Sequence, residues 1–182
     1  MLRITTGKAK NRRIKAPKIK GYRGVQEISK MSLFAILGDK IQGAVCLDLY
    51  AGSGNLGLEA LSRGAEWCDF VDEHPAAVAV INENLAKCGF IDNFEVIRQD
   101  AVKFAANALR DYDIIFADPF YKNTSHRFLV QNMEMILKEN GLICFFHGEN
   151  LDMESLIEGT NLQIIDNRQF GSSIFSLLKR KG

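Results

Sequence analysis

Apolar residues recur along this chain in short runs separated by longer segments with helical spacing, which is typical of alternating strands and helices. Five runs of four to six residues indicate buried strands, at 44–49, 67–71, 94–97, 112–117 and 142–147. The helices between them are expected to begin near Asn55, Pro75, Ala101, Ser125 and Asp152. Because strands that alternate with helices usually lie parallel, the pattern predicts a doubly wound α/β fold with a mostly parallel sheet.

The C-terminal part of the chain departs from this alternation. Apolar runs at 162–166 and 174–178 follow each other with no helix between them, and a glycine-serine turn at 171–173 joins them. Such a pair predicts a hairpin. We therefore expect one antiparallel strand at the end of the otherwise parallel sheet.

The N-terminal part departs from it as well. Residues 2–6 and 11–16 predict a basic β-hairpin, and residues 26–37 have the apolar spacing of a helix that leads into the sheet. No internal repeat or second domain is evident. We expect a hairpin arm at 1–24, followed by the α/β domain at 25–182, in a single domain overall.

Composition narrows the class of protein. The 182 residues, 47% of them hydrophobic, suffice for one full core. The four cysteines are scattered without a C-x-x-C pair, so we expect no disulfide framework, no metal site and a reducing, cytoplasmic location. No apolar stretch approaches the ~20 residues that span a bilayer, and the N-terminus lacks the features of a signal peptide. We expect a cytoplasmic monomer that does not use a membrane.

The small net charge of +1 conceals a strong asymmetry along the chain. The first 30 residues contain ten basic residues and one acidic residue, which leaves 13 basic and 21 acidic residues for the remainder. A basic segment on an acidic body is typical of docking on polyphosphate. A solvated surface segment is the other interpretation, but interspersed apolar residues favour an ordered hairpin: Leu2, Ile4, Ile14 and Ala16. The candidate phosphate-binding residues are Lys8, Lys10, Arg12 and Arg13.

The segment from Asp48 to Gly57, D-L-Y-A-G-S-G-N-L-G, predicts a strand, a glycine turn and then a helix. Gly52, Gly54 and Gly57 fit the G-x-G-x-x-G pattern of dinucleotide-binding proteins. Asp72 ends the next strand, where an acid is expected to bind a ribose hydroxyl. The pattern therefore predicts a nucleotide-like ligand, with a dinucleotide as the first candidate.

The carboxylate of Asp48 bears on which ligand this is. It would repel a pyrophosphate, whereas it would attract the ammonium and sulfonium groups of S-adenosylmethionine. In the alternative interpretations, Asp48 only accepts N–H groups of the turn, Asp72 is an ordinary surface carboxylate, and Asp100 caps a helix instead of facing an adenine amino group. The position of Asp48 therefore favours S-adenosylmethionine over a dinucleotide.

A second segment, D-I-I-F-A-D-P-F-Y at 113–121, predicts a buried strand that ends in a carboxylate, a proline and an aromatic residue. In an open α/β sheet this end lies at the same edge as the glycine turn. An exocyclic base amine is a poor nucleophile because its lone pair is delocalised, so an enzyme must hold the base out of its stack and accept the amine's N–H bonds. Asp118 and the carbonyl of Pro119 are the predicted acceptors, and Tyr121 the stacking face. A turn with a core tyrosine is the alternative.

The chain resembles the bacterial 16S rRNA guanine-N2 methyltransferases almost from end to end. The similar segments are L-R-I at 2–4, G-K at 7–8, N-R-R at 11–13, L-F-A-I-L at 33–37, D-L-Y-A-G-S-G at 48–54, G-L-E-A-L-S-R-G-A at 57–65, N-L at 84–85 and D-P-F-Y at 118–121. The block at 57–65 is specific to that family, whereas D-P-x-Y is shared by many amino-group methyltransferases.

The resemblance implies a Rossmann-like class I methyltransferase sheet, S-adenosylmethionine as methyl donor, and a guanine of small-subunit rRNA, naked or in a ribosomal particle, as substrate. It also implies that Asp118, Pro119 and Tyr121 form the catalytic loop. The cofactor contacts that it implies are Asp48, Gly52, Gly54, Asp72 and Asp100. Two other functions stay open: an amino methyltransferase acting on DNA adenine or another base, and an RNA-binding protein with an inactive methyltransferase core.

Two segments depart from the family pattern. Phe120 stands where the family usually has a second proline, which predicts a less rigid loop. Residues 23–29, R-G-V-Q-E-I-S, stand where the family usually has R-P-T-T-D-R-V, a stretch that helps close over the cofactor. Most of those polar contacts are missing here, so we expect cofactor affinity or the rRNA target to differ from those of the typical member.

Overall fold

A computed structural model describes residues 2–119 and 126–182 of the chain. Its described strands form one seven-stranded sheet, and helices cover both faces. The strands are β1 (Val45–Leu49), β2 (Trp67–Asp72), β3 (Phe94–Arg98), β4 (Tyr112–Ala117), β5 (Leu137–Gly148), β6 (Leu162–Phe170) and β7 (Ser173–Arg180). The α-helices are α1 (Glu27–Leu37), α2 (Asn55–Ser62), α3 (Pro75–Cys88), α4 (Ala101–Asn107), α5 (Arg127–Met135) and α6 (Met153–Ile157), and a short 3-10 helix spans Gly38–Ile41.

The sheet order is β3-β2-β1-β4-β5-β7-β6, with β1 near the centre. β1 pairs in parallel with β2 and β4, β2 with β3, and β4 with β5. β7 runs antiparallel to both of its neighbours, β5 and β6. The sequence-based prediction of a mostly parallel sheet with a C-terminal antiparallel strand is therefore confirmed.

Alternate residues of the strands pack against two separate layers of helices, as the two-residue period of a strand requires. In β1, Cys46 belongs to the apolar core shared with α1, α2 and α3, while Leu47 and Leu49 belong to the core shared with α4, α5 and α6. Asp48 is two residues after Cys46, so it points to the layer that contains α2. The strand thus places a carboxylate directly beside the helix that follows the glycine turn.

Element boundaries differ from the prediction mainly around β5. This strand begins at Leu137, five residues before the predicted start, because Tyr112 pairs with Leu137 and Ile114 then pairs with Leu142. The polar residues in between form an irregularity that apolar patterning does not reveal. β6 and β7 are also longer than predicted, since their polar ends continue the pairing. The predicted helix start near Ser125 lies outside the described residues.

The N-terminal segment reverses direction as predicted, but its described residues pair through a single antiparallel bridge between Arg3 and Arg13 instead of two regular strands. Backbone hydrogen bonds from Ile4 N to Arg12 O and from Ile14 N to Leu2 O flank this bridge.

The segment is anchored on the domain. Ile4, Ala9 and Ile14 are buried in the core layer of α1, α2 and α3, whereas Ala16, expected among the packed residues, is exposed. Gly7 has a φ of 84°, and a Cβ there would lie only 1.7 Å from the carbonyl oxygen of Ser62 at the end of α2. The basic segment is therefore seated on α2.

Candidate functional site

The glycine turn between β1 and α2 depends on each of its three glycines. Gly52 and Gly54 have φ values of 55° and 75°, which glycine adopts without strain. Gly57 has ordinary helical geometry, but a Cβ there would lie 2.3 Å from the ring of Phe70 on β2. The first two glycines therefore shape the turn, while the third allows α2 to pack closely on the sheet.

Asp48 lies under this turn with 2% of its surface exposed. One of its carboxylate oxygens accepts a hydrogen bond of 2.9 Å from the backbone N–H of Gly57, in the first turn of α2. Burial, together with the negative charges of Asp118 and Asp72, raises the pKa of Asp48 well above its usual range. Asp48 therefore accepts a backbone N–H, which was one of the two interpretations from sequence. It pairs with no cation in the described parts of the chain.

Asp72 ends β2, which lies directly beside β1. Its two carboxylate oxygens accept hydrogen bonds of 2.9 Å from the backbone N–H groups of Gly52 and His74. Asp72 therefore holds the glycine turn in place, in addition to the ribose contact predicted for it.

Asp100 follows β3 and is the N-cap of α4, where its side chain accepts a hydrogen bond of 2.9 Å from the backbone N–H of Lys103. Its charge also reaches Tyr50, a non-glycine residue with a φ of 58° immediately after β1. Burial, with the charges of Asp100 and Glu73, raises the pKa of Tyr50 to about 12. The cap is present, and the contact of Asp100 with an adenine amino group stays a prediction.

Asp118 and Pro119 follow β4, whose residue Ala117 pairs with Leu49 of β1. Asp118 is partly buried, and burial raises its pKa to about 7. Within the part of the chain that the structure describes, its carboxylate accepts no hydrogen bond and faces no cation. The ring of Pro119 is buried. Tyr121, the predicted stacking residue, lies outside the described residues.

These carboxylates share one edge of the sheet, which we call the carboxyl edge: the side where β1, β2, β3 and β4 end. The structure brings Asp48, Asp72 and Asp118 close enough together that the charges of the latter two raise the pKa of the first. An acidic edge with an unpaired carboxylate is suited to a ligand that carries positive charge and N–H donors. In residues 2–119 and 126–182, no cluster of histidine, cysteine and acidic side chains is arranged to hold a metal ion.

Sequence reasoning assigned no role to two residues of this region. The buried side chain of Asn84 in α3 accepts a hydrogen bond from Lys15 N and donates to the carbonyl oxygens of Lys15 and Ser53. Asn84 thereby connects the basic segment to the glycine turn. In the sequence, the only indication of this contact is an asparagine within the apolar stripe of a helix. Tyr22 lies against Gly52 and Ser53, and no local pattern marks that contact.

A buried ion pair fastens the basic segment to the same region. Lys30 of α1 and Glu59 of α2 are 1% and 0% exposed, with 2.8 Å between Nζ and Oε2. Lys30 also donates to Arg3 O and to the side chain of Asn55, while Glu59 accepts from the backbone and hydroxyl of Thr5. Burial lowers the pKa of Lys30. Burial alone would raise the pKa of Glu59. The charge of Lys30 and the hydrogen bonds to Glu59 outweigh that effect and hold the pKa of Glu59 below its usual value.

The four candidate phosphate-binding residues of the segment are exposed. Within the described residues, the side chains of Lys8, Lys10, Arg12 and Arg13 make no ion pair, in contrast to Lys30 and to Arg3, which pairs with Glu27. The hydrogen bonds of Asn84 place the end of this segment beside the glycine turn. The part of the segment at Lys15 therefore lies beside the glycine turn, whereas Gly7 and Lys8 lie at the end of α2.

The sheet order and the glycine turn at the carboxyl edge define a Rossmann-like methyltransferase fold. The solved structure titled "Putative methyltransferase yhhF from Escherichia coli" is similar with a TM-score of 0.83 and 26% identity, covering 99% of this chain and 98% of that chain.

Residues 2–179 match the model of the family described as "Conserved hypothetical protein 95", and the chain belongs to this family. It is 31% identical to "Putative rRNA methyltransferase YlbH" of Bacillus subtilis (strain 168) over 100% of both chains. It is 34% identical to "Ribosomal RNA small subunit methyltransferase D" of Escherichia coli (strain K12), over 77% of this chain and 68% of that protein.

Proposed function

We propose that this chain transfers a methyl group from S-adenosylmethionine to the exocyclic N2 amine of a guanine in small-subunit rRNA. The observation that carries the proposal is the pair of carboxylates at the carboxyl edge, Asp48 and Asp118, which have raised pKa values and face no cation in the described residues. Such a site favours a cationic donor and an amine substrate. The names of the two relatives, both rRNA methyltransferases, support RNA as the substrate.

The acidic residues and the glycine turn of the carboxyl edge fit S-adenosylmethionine, which supplies the electrophilic methyl group. Asp48 and the turn at Gly52 and Gly54 would hold its methionine part, where positive charge offsets the buried carboxylate. Asp72 would accept the ribose hydroxyls, and Asp100 the adenine amino group. A pyrophosphate would place more negative charge beside Asp48, which disfavours a dinucleotide.

Asp118 and the carbonyl of Pro119 would accept the two N–H bonds of the substrate amine and orient its lone pair toward the methyl group. The amine nitrogen must lose a proton as its new bond to carbon forms. The carboxylate of Asp118, whose pKa is raised to about 7, is suited to accept that proton. Tyr121 would stack on the base that is held in this position.

Docking of the RNA is assigned to the basic segment. Phosphates of the RNA would lie along four basic side chains, Lys8, Lys10, Arg12 and Arg13. In this division of roles, residues 1–24 bind the RNA and residues 25–182 perform the chemistry. The end of this segment at Lys15 lies beside the glycine turn, so RNA bound along the segment would extend toward the carboxyl edge. We propose that the protein acts as a monomer, in the bacterial cytoplasm where rRNA is assembled.

Transfer of a labelled methyl group tests this function. Purified protein is incubated with labelled S-adenosylmethionine and, in parallel, with small ribosomal subunits, naked small-subunit rRNA and DNA. We expect label in the rRNA of at least one of the first two substrates and none in DNA. Label in DNA alone would favour the alternative of a DNA amino methyltransferase, and donor binding without transfer to any substrate would favour an inactive core.

A further inference from the structure

The side chain of Tyr22 lies directly on the glycine turn. A Cβ at residue 52 would be 2.5 Å from Cε2 of the Tyr22 ring, so the ring covers the backbone of Gly52. The Tyr22 hydroxyl donates to the hydroxyl of Ser53 at 2.9 Å and accepts from its backbone N–H at 3.2 Å. Tyr22 is thus held in place by two hydrogen bonds to the turn.

Tyr22 also faces the acidic side of the site. Its pKa is raised, chiefly by burial and further by the negative charges of Asp118 and Asp48, so its hydroxyl is near both carboxylates. The ring therefore lies on the glycine turn at the carboxyl edge, where neither Asp48 nor Asp118 has a cationic partner in the described residues.

The backbone of the segment is adapted to this position. The N–H of Tyr22 closes a turn onto the carbonyl oxygen of Ile19, at 3.1 Å. Gly24 has no side chain, and a Cβ there would lie 3.1 Å from the Tyr22 hydroxyl. A glycine two residues after the tyrosine leaves room for the hydroxyl to reach Ser53.

We propose that Tyr22 covers the methionine part of bound S-adenosylmethionine and helps to hold its positive charges between the aromatic ring and the carboxylate of Asp48. This inference rests on the donor named in the proposed function. An aromatic ring and carboxylates both attract cations, and the attraction is strongest where water is excluded. Tyr22 would thus contact the amino-acid end of S-adenosylmethionine, while other residues hold its adenosine end.

Two ligands separate this role from a general effect on folding. S-adenosylmethionine contains the amino-acid part and its charges, whereas 5′-methylthioadenosine retains the adenosine and the sulfur but lacks that part. Affinities of both ligands are measured by calorimetry for the wild type, Tyr22→Leu, Tyr22→Phe and the control Ile19→Ala, and a thermal melt of each variant is recorded. Tyr22→Leu keeps apolar bulk without an aromatic face, and Ile19→Ala perturbs the same turn away from the site.

We expect Tyr22→Leu to weaken S-adenosylmethionine binding by about 5- to 30-fold, the range of a desolvated contact between a cation and a ring. Binding of 5′-methylthioadenosine should change by less than about twofold, because that ligand lacks the charges that the ring would contact. Tyr22→Phe should retain most of the affinity for the donor, and Ile19→Ala should leave both affinities unchanged.

Equal losses for both ligands in Tyr22→Leu, or the same loss in Ile19→Ala, would overturn the role of Tyr22 and leave the proposed function standing. A gain in donor affinity in Tyr22→Leu would also overturn it, since the tyrosine would then obstruct the pocket. Wild-type protein that binds neither ligand would overturn the proposed function itself, and this inference with it.

Discussion

At the scale of single residues, the acidic groups of the carboxyl edge differ in what they already contact. Asp48 and Asp72 each accept backbone N–H groups of the glycine turn or of the helix after it, so they have a structural role as well as the proposed one. Asp118 has no such contact among the described residues. Substitution of Asp118 is therefore the cleanest test of chemistry at this edge.

Asp118→Ala should reduce methyl transfer by roughly two to four orders of magnitude, since it removes an oriented acceptor from the reacting centre. Its affinity for S-adenosylmethionine should stay within a fewfold of wild type, because the glycine turn keeps its hydrogen bonds. Single-turnover methylation together with calorimetry of donor binding measures both quantities. Methylation at the wild-type rate would show that the catalytic assignment is wrong.

The raised pKa of Asp118 predicts a specific pH dependence. A protonated carboxyl is a weaker acceptor, so transfer should increase from pH 6 to pH 8, by about tenfold for a midpoint of about 7 and by less for a lower midpoint. The positive charge of the donor favours the carboxylate and moves the midpoint downward. Asp118→Asn cannot ionise, so its residual rate should lack this rise. A wild-type profile that is flat between pH 5 and pH 8 would contradict the role of this carboxylate.

The same raised pKa makes the stability of the fold depend on pH, with the opposite trend. The folded protein retains a proton on Asp118 that the unfolded chain, with a carboxyl pKa of about 3.9, has already released. This contribution is therefore present at low pH and is lost as the pH increases from about 4 to 7.

At the scale of elements, the basic segment is anchored by buried residues of α1 and α2 and also carries exposed, unpaired positive charges among the described residues. Lys30 is part of the buried network with Glu59, whereas Arg12 and Arg13 are exposed and, among described residues, unpaired. The two groups of residues should therefore differ in what their substitution changes.

Replacement of Arg12 and Arg13 by alanine should weaken binding to small-subunit rRNA and lower the log-log salt slope by about one to two units, because fewer counterions are released. Donor affinity should stay unchanged. Lys179 and Lys181, exposed on and just after β7 at the other half of the sheet, supply the matched control pair. If both double variants have the same RNA affinity and slope as wild type, the segment is an ordinary charged surface.

Lys30→Met should destabilise the fold by about 3 to 5 kcal/mol, because it removes the buried cation of Glu59 and leaves that carboxylate only its ion pair with the partly exposed Arg63. Urea unfolding followed by circular dichroism measures this free energy. Adding Glu59→Leu should recover part of the loss, since the double variant no longer buries the Glu59 carboxylate without Lys30. A Lys30→Met protein as stable as wild type would mean that the network does not fasten the segment.

At the scale of the whole molecule, much of the fold could be predicted because buried strands leave a continuous apolar signal. The starts and ends of β1, β2, β3 and β4 lie within one residue of the predicted runs. The rule that parallel strands end at one edge then places Asp48, Asp72 and Asp118 together from the sequence alone.

The parts that were missed depend on contacts between distant positions. Lys30 and Glu59 are charged residues that patterning assigns to the surface, yet they pair inside the molecule. Tyr22 reaches Ser53 across 31 positions of sequence, and no local period encodes such a contact. The first part of β5, from Leu137, consists mostly of polar residues, whose pattern is typical of a loop.

The most direct test of the central claim is the identity of the methylated nucleoside. Small subunits or their rRNA are treated with the protein and S-adenosylmethionine, digested to nucleosides and analysed by mass spectrometry against standards, with Asp118→Ala as the control. We expect N2-methylguanosine with the wild type and its near absence with the variant. Methylation on another atom or base, or equal product from Asp118→Ala, would contradict it.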